Sequence, residues 1–253
     1  MVAFGAAPIF LPTTIFFAHC ISRNPRFNGA RLGAKEELVD FQNNVVYNWQ
    51  NKAIYGGEFG KYNIVNNYFK PGPSTKPSAA NNFLDPSKTD VLPYGQYYVA
   101  GNMIEGNGMV NKDNMNGVTP MPVTGVYINA PHMVTRLSNQ TAEEAYQSVV
   151  LHVGASLKRD AVDIRIIKDM KNAKGIIIDV QGGFPHGTPY ETSKVAWPEL
   201  KSMPAFSDKD QDGMPDSWEL QNGLDPNDNK DAAGMKLHAY FTNLEVFLNG
   251  LLK

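Results

Sequence analysis

FQNNVV at Phe41–Val46, IVNNYF at Ile64–Phe69 and VAGNMI at Val99–Ile104 repeat one pattern, a short apolar run with asparagine in its fourth place. The fixed points Asn44, Asn67 and Asn102 are separated by 23 and 35 residues. The longer interval contains the Pro/Gly/Ser-rich stretch Lys70–Phe83, which predicts an excursion of about a dozen residues spliced into one turn of a regular winding. A short apolar run and a recurrent asparagine at such a period predict an all-β fold, a right-handed parallel β-helix. Each coil adds a short strand, and an Asn side chain, tolerant of left-handed backbone, stacks at the bend. Such a fold builds a long groove suited to an extended polymer, and so points toward polysaccharide.

Composition agrees. With 253 residues, 42% apolar and 19% charged, the chain can bury a sizeable core and hold one elongated domain plus a small appendix. The net charge is −2 and no basic stripe exists, which argues against a nucleic-acid partner. Cys20 is the sole cysteine, so no intrachain disulfide can form. The apolar opening MVAFGAAPIFLPTTIFF lacks a basic flank, is broken by Pro8 and Pro12, and is too short to span a bilayer. A lipoprotein signal ending at Cys20 would need a small residue where His19 stands. A strand and loop at the edge of the β-helix is the expected reading.

The organisation expected is a partial β-helix over 1–133, a helical and loop segment packing on it over 134–203, and a tail over 204–253. Tyr127–Met133 reads as one more strand. Thr141 and Glu144 form a capping box that opens a helix with Ala145, Val149 and Val153 on one face. A second helix is expected over Asp160–Lys171, its Val162, Ile166, Ile167 and Met170 making an apolar stripe.

The sharpest local motif is DKDQDGMPDSWE, Asp208–Glu219. Asp208, Asp210 and Asp212 alternate, Gly213 takes the tight turn, and Asp216 and Glu219 occupy the ninth and twelfth places, with the Met214 carbonyl between. Calcium takes six to eight oxygens on a flexible loop, and this spacing supplies them. A short helix, the acidic stretch Leu224–Asp231 and a closing helix follow. The tail resembles the calcium-binding helix-loop-helix modules related to dockerin and thrombospondin type 3 repeats. The second stretch lacks the glycine and the final glutamate, leaving Asp225, Asn227 and Asp231 as contributors to a shared site.

AHCISRNPRFNGAR at Ala18–Arg31, VVYNW at Val45–Trp49, YGGE at Tyr55–Glu58, NIVNNYFKPGPST at Asn63–Thr75, GASLKRDAVDIRI at Gly154–Ile166 and the acidic tail together carry a resemblance over almost the whole chain. They resemble the pectate lyases of polysaccharide lyase family one, especially the secreted multi-module enzymes of gut and soil bacteria. The resemblance implies β-elimination of 4-linked galacturonate in polygalacturonate by a secreted protein, with no obligate protein partner. It also implies that Arg23, opening an Arg-x-Pro-x-x-Arg motif with Pro25 in place, is the catalytic residue. Arg26, Arg31 and Lys52 are the candidate substrate-binding cations. Asn28 stands where the second arginine of the motif would be, and Arg31 follows three residues later.

In that family the carboxylates that hold a catalytic calcium, and a substrate-binding lysine, lie upstream of the arginine motif. Here the first acidic residue is Glu36. The expectation is therefore a C-terminal portion of such an enzyme, with little activity alone. The alternative is a non-catalytic β-helix module that binds acidic polysaccharide. Taken singly, Arg23 reads as a solvated loop cation, Trp49, Tyr55 and Tyr68 read as packing residues before sugar-stacking ones, and His19 and His132 read as structural.

Overall fold

The computed structural model describes residues 14–31, 33, 37–119, 124–134, 140–156 and 158–251. Most of the apolar opening, through Thr13, and Glu36 lie outside them. The chain divides into two compact units, Met1–Pro198 and Glu199–Lys253.

In the first unit the chain returns to the same three sheets in turn. One holds β1 (Phe16–Ala18), β4 (Val45–Tyr47), β7 (Tyr68–Lys70) and β10 (Met103–Ile104). The second holds β2 (Arg26–Phe27), β5 (Ile54–Gly56) and β8 (Leu84–Pro86). The third holds β3 (Leu38–Gln42), β6 (Lys61–Val65), β9 (Gln96–Ala100) and β11 (Tyr127–Ile128). Every pairing between these strands is parallel. This is a parallel β-helix. Its interior stacks like on like: Phe27 on Tyr62 at 4.6 Å, Tyr62 on Tyr97 at 4.8 Å and Phe69 on Phe83 at 5.1 Å between ring centres. Offset stacking adds to the area such rings bury.

The asparagine repeat is a hydrogen-bonded ladder. Asn44 Nδ2 donates to Asn67 Oδ1 at 3.0 Å, and Asn67 Nδ2 to Asn102 Oδ1 at 2.9 Å. Each backbone amide donates to the same oxygen of the next coil. Asn114, which the repeat does not predict, continues the ladder by accepting from Asn102 at 3.1 Å. The left-handed backbone sits one residue earlier than expected, at Asn43, Asn66 and Gly101, with φ of 56°, 53° and 66°. Each bend is a two-residue link in which the first residue turns the chain and the second aims its amide along the helix axis.

The excursion is also divided differently from the expectation. Seven of the twelve extra residues lie between β7 and β8, where 71–83 replaces the six-residue link 48–53. The other five lie between β8 and β9, where 87–95 replaces the four-residue link 57–60. The second insertion has no run of turn residues as dense as Lys70–Phe83, so composition alone does not reveal it. The strand expected over Tyr127–Met133 pairs only at β11.

A short α1 (Gly108–Lys112) and a 3-10 turn follow β10, and then come α2 (Ala142–His152) and α3 (Ala161–Asn172). Thr141 and Glu144 close the capping box that opens α2, and Asp160 caps α3 by accepting from the Val162 and Asp163 amides. Ala142, Val149 and Met170 of these helices share a buried cluster with Val45, Tyr47 and Tyr68. The outer face of the β1–β4–β7–β10 sheet is therefore covered, and among the described residues the β2–β5–β8 sheet has no helix packed on it in this way. A short α4 (Tyr190–Ser193) precedes the end of this unit.

The second unit contains α5 (Asp216–Asn222), ended by Gly223 at φ 71°, and α6 (Asn243–Gly250), opened by a Thr242/Glu245 capping box. Trp218 and Phe247 meet between them at 5.1 Å. Among the described residues, no helix is long and apolar enough to cross a membrane.

Candidate active site and candidate metal centre

The register of the β2–β5–β8 sheet aligns Arg26, Tyr55 and Asp85. Alternation sends Phe27, Ile54 and Leu84 into the core and leaves these three on the outer face. The Arg26 guanidinium lies 5.2 Å from the centre of the Tyr55 ring and donates to Glu58 Oε1 at 2.8 Å. The Lys52 ammonium is 5.6 Å from the same ring and 2.6 Å from Asp85 Oδ2. A Cβ on Gly56 would meet Arg26 Nη1 at 2.5 Å, so glycine there gives the arginine room to lie across the strand.

Arg23 stands at the approach to β2. It is exposed, has φ of 66°, and among the described residues has no hydrogen-bond or ion-pair partner. Its neighbour Asn24 is buried and anchored, its amide donating to Ala53 O at 3.0 Å and its side chain to Lys52 O at 3.3 Å. Positive φ at a non-glycine residue costs on the order of 1 kcal/mol and is held only where the surroundings enforce it. Arg31 is exposed and reaches Asn28 Oδ1 at 3.4 Å, which brings its charge beside the position where the motif's second arginine would be. The structure thus gathers Arg23, Arg26 and Lys52 around the start of one sheet, with Arg26 and Lys52 neutralised and Arg23 open.

Trp49 is fully buried, its indole N–H donating to Ala79 O, and Tyr68 lies under Tyr146 of α2. Neither presents a face to a sugar. His132 exchanges backbone contacts with the Asn63 side chain. Glu58 pairs with Arg26 through Oε1 while its Oε2 is buried without a donor, Asp85 pairs with Lys52, Glu37 accepts the Gly29 amide and the Tyr62 hydroxyl, and Asp40 lies on β3. Among the described residues no three of these carboxylates converge as a calcium site would require, so they do not fit a calcium. Glu58 closes the YGGE motif, but its pairing with Arg26 does not follow from the sequence; the Arg26–Tyr55–Asp85 register reveals Asp85 once the strands are aligned.

In the second unit the acidic loop closes on itself. Asp208, Asp210 and Asp212 bring carboxylate oxygens within 4.8 Å of one another, and so do Asp212, Glu219 and Asp231. Among the described residues, these are the groupings of three that could hold a metal ion. Seven buried oxygens of the cage have no hydrogen-bond donor: Asp208 Oδ1, both of Asp210, Asp212 Oδ2, both of Glu219 and Asp231 Oδ1. Glu219 is 0% exposed, and burial together with Asp212 and Asp210 pushes its carboxyl up to about 7. Buried carboxylates without donors are costly unless a cation or proton compensates them, so the donor set fits a hard divalent ion. Asp216 differs: the Ser207 hydroxyl and the Lys209 amide hold its carboxyl below the usual range. Met214 is buried, and its amide donates to Asp212 Oδ1 at 2.8 Å.

Fold and sites together define a parallel β-helix with an outward arginine ridge, accompanied by a compact module built around a carboxylate cage. No protein-family model matches the chain. It is similar to a protein named "Probable pectate lyase C" from Neosartorya fischeri, 32% identical, with 91% of this chain and 50% of the relative covered. Proteins of the same name from Aspergillus fumigatus and Aspergillus terreus are 33% and 30% identical over 91% of this chain and 50% and 51% of theirs. The chain spans about half the length of the curated relatives it matches. The unmatched 9% is shorter than the second unit, so the likeness to the first relative extends into both units.

Proposed function

We propose that the protein is a pectate lyase-type polysaccharide lyase acting outside the cell on 4-linked galacturonate, where a polymer too large to import is met. The observation that carries this reading is the open Arg23 guanidinium at the edge of the β2–β5–β8 face, in a chain similar to proteins named "Probable pectate lyase C". Elimination passes the C5 proton to a solvent base, forms the C4–C5 double bond and expels the 4-linked oxygen, which takes a proton from water as it leaves. The C5 proton is acidic only when the charge of the adjoining carboxylate is offset. Arg23 offers a planar fork matched to that carboxylate. A guanidinium acts as a base only where neighbouring positive charge crowds it, and here Arg26 and Lys52 are each paired with a carboxylate. The role we assign Arg23 is therefore the carboxylate clamp, with Arg31 and the Arg26–Tyr55–Lys52 stack flanking the polymer. Since the ridge does not fit a metal ion, no step is routed through one.

In the tail we propose a calcium ion held by Asp208, Asp210, Asp212 and Glu219 with the Met214 carbonyl. It serves the architecture of the tail and takes no part in the chemistry. Helices α2 and α3 act as a cover on the β-helix.

Incubating the complete natural protein with polygalacturonate and calcium tests the reading, because only elimination produces ultraviolet-absorbing 4,5-unsaturated ends. Their accumulation is the expected result. Retention of the polymer without unsaturated ends would instead favour a binding module, a reading to which the neutralised Glu58 and Asp85 lend weight.

A further inference from the structure

The ninth position of a calcium loop serves the ion, often through a water, and here Asp216 is engaged by the chain. Asp216 accepts the Ser207 hydroxyl at Oδ2 (2.6 Å) and the Lys209 amide at Oδ1 (2.9 Å), with the Lys209 ammonium 3.6 Å from Oδ2. Both of its oxygens are spent closing the start of the loop. Asp231, twelve residues beyond Glu219, brings a carboxylate to the other side of the cage, with an oxygen within 4.8 Å of those of Asp212 and Glu219. Its Oδ2 accepts the Asp225 amide at 3.0 Å, while its Oδ1 is buried and has no donor.

We propose that Asp231 is a direct calcium ligand supplied from outside the loop, and that Asp216 is a positioning residue that braces the loop without touching the ion. This rests on the calcium reading of the tail given above. Two independent features support it. Glu219 is wholly buried with both oxygens undonated beside Asp231, so the compensating charge must come from something not of the chain. Asp231 is also held from behind. Asn243, 1% exposed at the start of α6, donates from Nδ2 to the Asp231 carbonyl at 2.8 Å and from its amide to Gly234 O at 2.7 Å. Its Oδ1 accepts the Leu237 amide at 3.1 Å. The ion therefore joins the loop, Glu219 of α5 and, through Asp231 and Asn243, the start of α6. The cage offers oxygens alone, seven carboxylate oxygens without donors and the Met214 carbonyl, the hard donors of which calcium takes six to eight, whereas magnesium keeps waters in a small octahedron.

The test is calorimetric titration of the full chain with calcium, run with Asp231→Asn, Asp216→Asn and Asp228→Asn. Asp228 is an exposed acid of the same segment whose side chain accepts only the Lys230 amide, and it controls for net charge. Affinity is expected to fall about tenfold or more in Asp231→Asn, less in Asp216→Asn, and within about twofold in Asp228→Asn. Terbium luminescence lifetimes give a readout that a merely structural role would not move: Asp231→Ala should admit about one more water to the bound ion. Unchanged affinity and water count in the Asp231 variants, or a larger loss in Asp216→Asn, would overturn the assignment. A wild-type chain that takes up no calcium would overturn the underlying reading instead.

Discussion

Arg23 and Arg26 sit three residues apart and have opposite roles in the fold. Arg26 is tied to Glu58, which is 3% exposed, so Arg26→Ala leaves a buried carboxylate unpaired and should lower the unfolding free energy by about 3–5 kcal/mol. Arg23→Ala, at an exposed and unpaired position, should stay within about 0.5 kcal/mol of wild type. Urea denaturation of the two variants checks the contrast, and equal losses would mean that Arg23 has a structural partner. His19 supplies a pH test. It is buried, accepts the Asn48 amide group at Nδ1 and so carries its proton on Nε2, 3.6 Å from Asp169. Burial, opposed by Asp169 and aided by Arg165, lowers its pKa. The unfolded chain then binds a proton near pH 6.5, where the folded chain does not, so stability should fall as pH drops through and below about 6.5. His19→Asn, suited to the φ of 56° there, should flatten that fall in urea midpoints measured between neutral and acidic pH.

At the scale of elements, the asparagine ladder is the feature on which the winding depends. Asn67 is fully buried; it donates to Phe41 O and Asn102 Oδ1 and accepts from Asn44 twice. Asn67→Ala leaves these groups without partners, at about 1–3 kcal/mol for each buried group left unsatisfied. Thermal unfolding should show a much larger loss than for Asn82→Ala, an asparagine of the inserted loop. The ladder was legible in the sequence because identical side chains must recur where identical bends stack. The partner of the bend was less legible, since Asn43, Asn66 and Gly101 meet the same left-handed requirement with two residue types. Asn114 was not legible at all, because it reaches the ladder from a 3-10 turn outside the repeat. In the ridge, Arg23 and Arg26 look alike as letters. What separates them is Glu58, which folding alone brings to Arg26.

For the molecule as a whole, the two units differ in what holds them together. The β-helix has a stacked aromatic core, while the buried hydrophobic side chains of Glu199–Lys253 among the described residues are Met214 and Leu224. A module this short with so little core needs a staple, and the carboxylate cage is positioned to take one. Chelation of calcium should therefore expose the Glu219 and Asn243 amides to hydrogen exchange while the Asn67 amide stays protected. Protection unchanged by chelation would show that the tail folds without metal. The carboxylate spacing of the loop and the contribution of Asp231 are readable from sequence, but the turn of Asp216 to Ser207 and Lys209 and the brace of Asn243 behind Asp231 depend on folding.

The central claim is that the Arg23 fork offsets the uronate carboxylate during elimination. The most direct measurement is the rate at which unsaturated ends absorb in the ultraviolet when polygalacturonate and calcium meet the complete natural protein, wild type against Arg23→Ala. The expected result is a wild-type rate that falls about a hundredfold or more in the variant at unchanged melting temperature. A variant that retains a substantial share of the wild-type rate, or a wild type that forms no unsaturated ends, would contradict it.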